Sequence, residues 1–220
     1  MRGGFDFAAG EEAPPAADGR PAAAVVLVGQ AGAAPWPHFS AWLARQPGGG
    51  PDNPLDRWAR AVIGEVAGVH GARAVSPSDR PYLPFQSWAM CAEGLRPSPL
   101  GILMHPRYGL WHAYRGALLF AEPLGLARPA AAAHLCEACP DKPCRSGCPA
   151  AAHAAPQFDH AGCLAHVRAE GGRVCRLDGC ADRNACPHGL AFRYPAEVQA
   201  FHMAAFAGVE LEDPRRNHAV

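Results

Sequence analysis

Residues 22 to 30, AAAVVLVGQ, form a β-branched apolar run without polar interruption. This is the pattern of a strand buried on both faces. APWPHFSAWLARQPGGG then predicts a loop and a short amphipathic helix, stopped near residue 48 by its glycines. In DNPLDRWARAVIGEVAGVHGARAV, Asn53 suits a helix cap, Pro54 the first helical position and Gly71 the exit. Leu55, Trp58, Val62, Ile63, Val66 and Val69 recur at helical spacing and predict the buried stripe. ARAVS, 72 to 76, predicts a further strand, and strand–helix–strand order suggests an α/β layer. PFQSWAMCAEG predicts a third helix ending near Gly94. LGILMHP and LWHAYRGALLF predict two strands joined by a turn at PRYG.

After Leu126 the pattern breaks. ARPAAAAH reads as a boundary, and from Cys136 to Cys186 there are eight cysteines, many small residues and few large apolar ones. Such a segment needs whatever its cysteines bind in order to fold. Residues 196 to 207 predict a closing helix. The expected organisation is a disordered tail over 1–21, an α/β domain over 22–127, a small, mostly helical module over 134–207, and a tail over 208–220, giving an α+β protein overall.

Composition narrows the chemistry. Apolar residues make up 49% of the 220, enough for a core. The formal net charge of +0 offers no bulk attraction to nucleic acid or to a membrane surface. The apolar runs are too short to span a bilayer, and MRGGFDFAAGEEAPPAADGRP has no apolar core of a secretory signal. A cytoplasmic location is therefore expected. Nine cysteines in a reducing compartment suggest metal or redox chemistry rather than disulfides.

The cysteines fall into two groups. Cys136-x2-Cys139-x4-Cys144-x3-Cys148 is followed by Pro149; Cys163-x11-Cys175-x4-Cys180-x5-Cys186 is followed by Pro187. Two zinc sites would also consume eight thiolates, and zinc tolerates such spacings. The paired Cys-Pro endings favour two [4Fe–4S] clusters. In two-cluster ferredoxins, the last cysteine of a run ligates the other cluster. That exchange assigns Cys136, Cys139, Cys144 and Cys186 to cluster I, and Cys148, Cys163, Cys175 and Cys180 to cluster II. Cys91, alone on a predicted helix, reads as a small buried hydrophobe.

From Val25 to about Tyr194 the chain resembles the epoxyqueuosine reductases and the related reductive dehalogenases. CEACPDKPCRSGCP is similar to that family's first cluster run, AGCLAHV to the surroundings of its isolated fifth cysteine, and CADRNACP to its final run. The resemblance implies a nitroreductase-like domain, here reduced in size, preceding the two-cluster module. It also implies a corrinoid such as cobalamin on that domain, and a reductase activity. PSDRPYLPFQSWAMCAEGL resembles the family's Asp-bearing turn and following helix, which puts Asp79 where the proton-donating Asp falls; LMHPRYGLW resembles its approach to the cofactor-facing strand. An electron donor such as a flavodoxin or ferredoxin is the implied partner. A ferredoxin-type carrier without catalysis, or a zinc-stabilised binding protein, remains the alternative.

Other residues carry two readings each. Asp79 is a general acid or a turn former. His105, His112 and His134 are ligands or donors to a cluster, or ordinary imidazoles. Trp88, Trp111 and Tyr114 line a pocket or belong to the core. Arg115 within a strand needs a partner, from a ligand or from the chain. GQAG, 29 to 32, lacks dinucleotide-binding spacing.

Overall fold

The computed structural model describes residues 3–47, 52–155 and 157–211. The chain divides into two compact units. The first joins Met1–Arg96 to His112–Ala133; the second joins Pro97–Trp111 to His134–Val220. The expected boundary near residue 127 thus misses residues 97–111, which leave the first unit and return to it. Among the described residues no helix is long and apolar enough to cross a membrane.

The first unit is built on one four-stranded sheet, in the order β1 (Gly3–Asp6), β2 (Ala24–Ala31), β6 (His112–Phe120), β3 (Arg73–Val75), each neighbouring pair antiparallel. The strand–helix–strand order is present, but β6 inserts between β2 and β3. The expected α/β layer is therefore an antiparallel sheet in an α+β fold. Of the two strands expected around PRYG, only β6 is long. Its expected partner is the two-residue β5 (Leu103–Met104), which follows an equally short β4 (Arg96–Pro97).

Helices α1 (Trp36–Leu43), α2 (Pro54–Val69) and α3 (Phe85–Glu93) complete this unit. Val26 and Leu118 meet Ala59, Ile63 and Ala67 of α2 in one cluster. Phe5 pairs with Val25, so both point to the other face. There Phe5, Phe7 and Trp88 form an aromatic chain with centroid separations of 5.1 and 6.3 Å. Covering on both faces explains why β2 reads as an unbroken apolar run.

Two expectations need correction here. Residues 3–21 of the stretch expected as a disordered tail, 1–21, are not a tail, and 1–2 lie outside the described residues. Phe5 is fully buried in β1, and the Asp6 carboxylate accepts the backbone N–H of Leu124, Gly125 and Leu126. The buried row of α2 is Leu55, Ala59, Ile63 and Ala67, whereas Val62, Val66 and Val69 are exposed. Alanines let the helix sit close to the sheet, and that closeness selects a narrow i, i+4 row. Of the expected C-terminal tail, 212–220 lies outside the described residues.

The second unit is helical: α4 (His160–Arg168), α5 (Arg173–Asp178), α6 (Ala181–Ala185) and α7 (Ala196–Ala207), as the sequence predicts for α7. Its apolar clusters contain the cysteines themselves. Cys136, Cys144 and Cys186 pack with Leu100, Met104 and Leu110, and Cys175 packs with Val167 and Ala207.

Gly116 of β6 marks the tightest helix–sheet approach. A Cβ there would stand 2.7 Å from Ile63 Cδ1 and 2.9 Å from the Val75 carbonyl oxygen. Gly116→Ala should lower stability by about 1–3 kcal/mol through overpacking. A urea midpoint equal to that of the parent would show that the interface gives way freely.

Candidate metal centre

Eight of the nine cysteines sort into two quartets, each around its own cavity in the second unit. Cys136, Cys139, Cys144 and Cys186 line a cavity of about 10 Å³, together with Met104, Leu110, Lys142 and His188. Cys148, Cys163, Cys175 and Cys180 line a larger one of about 280 Å³, together with Leu100, His153, Phe158, His166, Arg183 and Phe206. The membership is the one that the exchange rule assigns. Cys91 lies apart, on α3 in the first unit.

The local structure explains the sorting. Cys180 and Cys186 flank the five-residue helix α6, both in extended conformation, so one faces each cavity. In the other run, Cys144 lies in a short 3-10 turn, Pro143–Arg145, and Cys148 follows it. Each run therefore supplies both cavities, and the two runs cross between them.

Asp182 ties the crossing. This α6 carboxylate is fully buried. It accepts the Gly147 N–H at 2.8 Å and bonds His153 Nδ1 at 2.7 Å. Gly147 stands between Cys144 and Cys148, so one carboxylate holds both runs. Cys163 sits on α4, capped by Asp159, whose side chain accepts the Gly162 N–H at 2.9 Å. Cys175 sits on α5.

The thiols are strongly perturbed. Burial pushes Cys136 up to about 11, reinforced by Cys186, Cys144 and Cys139. Burial also pushes Cys163 up to about 11, reinforced by Cys180, Cys148 and Cys175. Cys144, Cys175, Cys180 and Cys186 are raised too, each mainly by burial. The thiols that raise each of these six belong to its own quartet. Backbone N–H groups of Asp182 and Arg183 act in the opposite sense on Cys180, and that of His188 on Cys186. Buried ring or guanidinium nitrogens also border these cavities: His166 Nε2 and Arg183 Nε at the larger, His188 Nε2 at the smaller. None of the three has a hydrogen-bond partner.

Among the described residues, no three His, Cys, Asp or Glu side chains converge closely enough to hold a single metal ion. The larger quartet rings a cavity of about 280 Å³, and the smaller encloses about 10 Å³.

The other singled-out residues are engaged elsewhere. Asp79 lies in a turn, where it accepts the Ser76 N–H at 2.7 Å and pairs with Arg60. Tyr114 donates its hydroxyl to Glu93 at 2.7 Å, and Arg115 Nε donates to Gln30 at 2.7 Å. Trp88 is core. Trp111 is fully buried, with the Arg183 guanidinium 4.4 Å above its ring. His105 Nδ1 accepts the N–H groups of Arg107 and Tyr108, closing a turn. His112 is buried edge-on to Tyr114, and the His134 carbonyl accepts the Glu137 N–H. The sequence reading passed over Asp182, His153, His166, Arg183 and His188. Two of these had a signal: His166 lies three residues after Cys163 on one helix, and His188 two residues after Cys186.

The raised thiols fix a pH dependence. Unfolded thiols release their protons near roughly 8.5. In the folded, metal-free chain, Cys136 and Cys163 hold theirs to about 11. The folded state binds more protons in that window, so this contribution is complete below it and is lost as pH rises through it. The urea midpoint of reduced, metal-free protein should fall across that window, and fall less in a Cys136→Ala/Cys163→Ala variant. Equal slopes for the two proteins would refute the assignment.

Comparisons with protein-family models, with curated proteins and with solved structures give no match.

Proposed function

We propose that this protein is an iron–sulfur electron-transfer protein holding two [4Fe–4S] clusters in its second unit. Cys136, Cys139, Cys144 and Cys186 would hold one, and Cys148, Cys163, Cys175 and Cys180 the other. Such clusters, when bound, pass single electrons at potentials set by hydrogen bonds, net charge and exposure. The sorting of eight thiols into two cavities by crossed runs carries the reading, because the ferredoxin exchange requires that crossing.

Three further observations support it. All eight donors are thiols, the ligand type that iron–sulfur clusters take. A cube holds four thiolates at its corners, which agrees with the larger quartet around its cavity of about 280 Å³. The unpartnered nitrogens of His166, Arg183 and His188 would find acceptors in cluster sulfur, relieving the cost of leaving buried polar atoms unbonded. The two pockets support the reading differently: the larger has the room, and the smaller rests on its donor set.

For the first unit, we infer a reduced nitroreductase-like domain that serves as a docking platform. The residues singled out there for a corrinoid are engaged within the unit: Asp79 with Arg60 and Ser76, Tyr114 with Glu93. The reading therefore assigns no residue to cobalamin and no proton-donating role to Asp79. The electron-donating partner, in this reading, is a small redox protein of the flavodoxin or ferredoxin class.

Anaerobic purification should yield about eight irons and eight sulfides per chain. Cys148→Ala should spare the quartet of its own run's first three cysteines and cost the cluster of Cys163, Cys175 and Cys180. Two zincs without sulfide would overturn the reading. Cobalt or a corrinoid spectrum would instead assign the first unit a catalytic cofactor.

A further inference from the structure

Each quartet has one histidine whose Nε2 is buried without a hydrogen-bond partner. His166 borders the larger cavity and His188 the smaller. An imidazole nitrogen left unbonded in the interior is costly, so the position needs an acceptor. The acceptors facing each cavity are the sulfur atoms of its quartet and of whatever that quartet binds.

Local geometry fixes each ring near one quartet alone. His166 follows Cys163 by three residues on α4, which puts both side chains on one face of the helix. Val167, beside it, is buried against Cys175 and Ala207. His188 follows Cys186 and Pro187, and its backbone N–H already lowers the Cys186 thiol. Its chain neighbourhood is fixed by close backbone contact: a Cβ at Gly109 would collide with the His188 carbonyl oxygen. Neither ring can swing to the other cavity without dismantling its own segment.

We propose that His166 and His188 are tuning donors, each giving an Nε2–H hydrogen bond to sulfur in its own pocket and thereby setting the two potentials separately. The inference rests on the two-cluster reading above. Reduction adds negative charge to the cluster, and a donor to sulfur stabilises the charge-rich form. Each histidine therefore raises the potential of its own site, whatever the surrounding charges contribute. The nearby charges act alike before and after substitution. Asp182 reaches both quartets through Cys144 and Cys180, while Lys142 acts on Cys136 and Asp159 on Cys163.

The test is an anaerobic redox titration of the full-length, reconstituted chain, with iron and sulfide counted in every sample. Cys163→Ala identifies the wave of the larger pocket by removing it. His166→Phe should lower that wave about tenfold in its one-electron constant, ~59 mV, and leave the other in place. His188→Phe should do the reverse. His166→Gln and His188→Gln keep an N–H donor and should return most of each shift; they carry the test if a Phe variant fails to load. Unmoved waves, equal movement of both, or movement of the opposite wave would overturn the proposal. A parent chain without iron and sulfide would overturn the two-cluster reading itself, a result distinct from these.

Discussion

The second unit depends on the meeting of two cysteine runs that cross. Neither run can close a quartet by itself: the first supplies three thiols to one cavity and one to the other, and the second does the converse. The crossing is held by a single buried carboxylate, Asp182, joined to the Gly147 N–H and to His153. A buried carboxylate is costly unless its hydrogen-bonding capacity is filled. Here the segments that fill it are the ones that must be held together. Removing either partner leaves a charge or a donor stranded, so the polar tie enforces the register on which both cavities rely.

The first unit solves a different problem with ordinary means. Its sheet is covered on both faces, and the close seat of α2 over Gly116 replaces large side chains with small ones. The side chains singled out in this unit bond one another. Asp79 with Arg60, Arg115 with Gln30 and Tyr114 with Glu93 all close within this unit. Chemistry-bearing residue types are present there, but their bonds are spent on structure. The raised thiols and the unbonded nitrogens of His166, Arg183 and His188 lie in the second unit.

How far the sequence disclosed this follows from which forces act locally. β2, α2, α3 and α7 were legible, because periodicity and punctuation by Pro and Gly act over neighbouring residues. The quartets were legible because the Cys-Pro endings state where the chain turns away. The N-terminal strand was hidden by an Ala, Pro and Gly background that resembles a tail; only Phe5 and Phe7, two apart, hinted at a buried face. The burial of α2 was misjudged because hydrophobicity favours Val62, Val66 and Val69, whereas the sheet accepts the smaller row. Asp182 was invisible, since its partners lie 29 and 35 residues away in sequence.

The thiols also explain how a segment with few large apolar residues holds a shape. Protonated, they are small hydrophobes, and Cys136, Cys144, Cys175 and Cys186 sit within the apolar clusters on that basis. Their raised proton affinity is the measure of that role, because burial favours the neutral form. Iron would reverse the preference, since a coordinating thiol is deprotonated outright. The same exclusion of water then strengthens the bonds of the thiolates to metal and to nearby N–H groups. One arrangement thus serves two protonation states. This places the demand on the lining: Leu100, Met104, Leu110 and Phe206 present apolar side chains to the quartets and supply no competing acceptor.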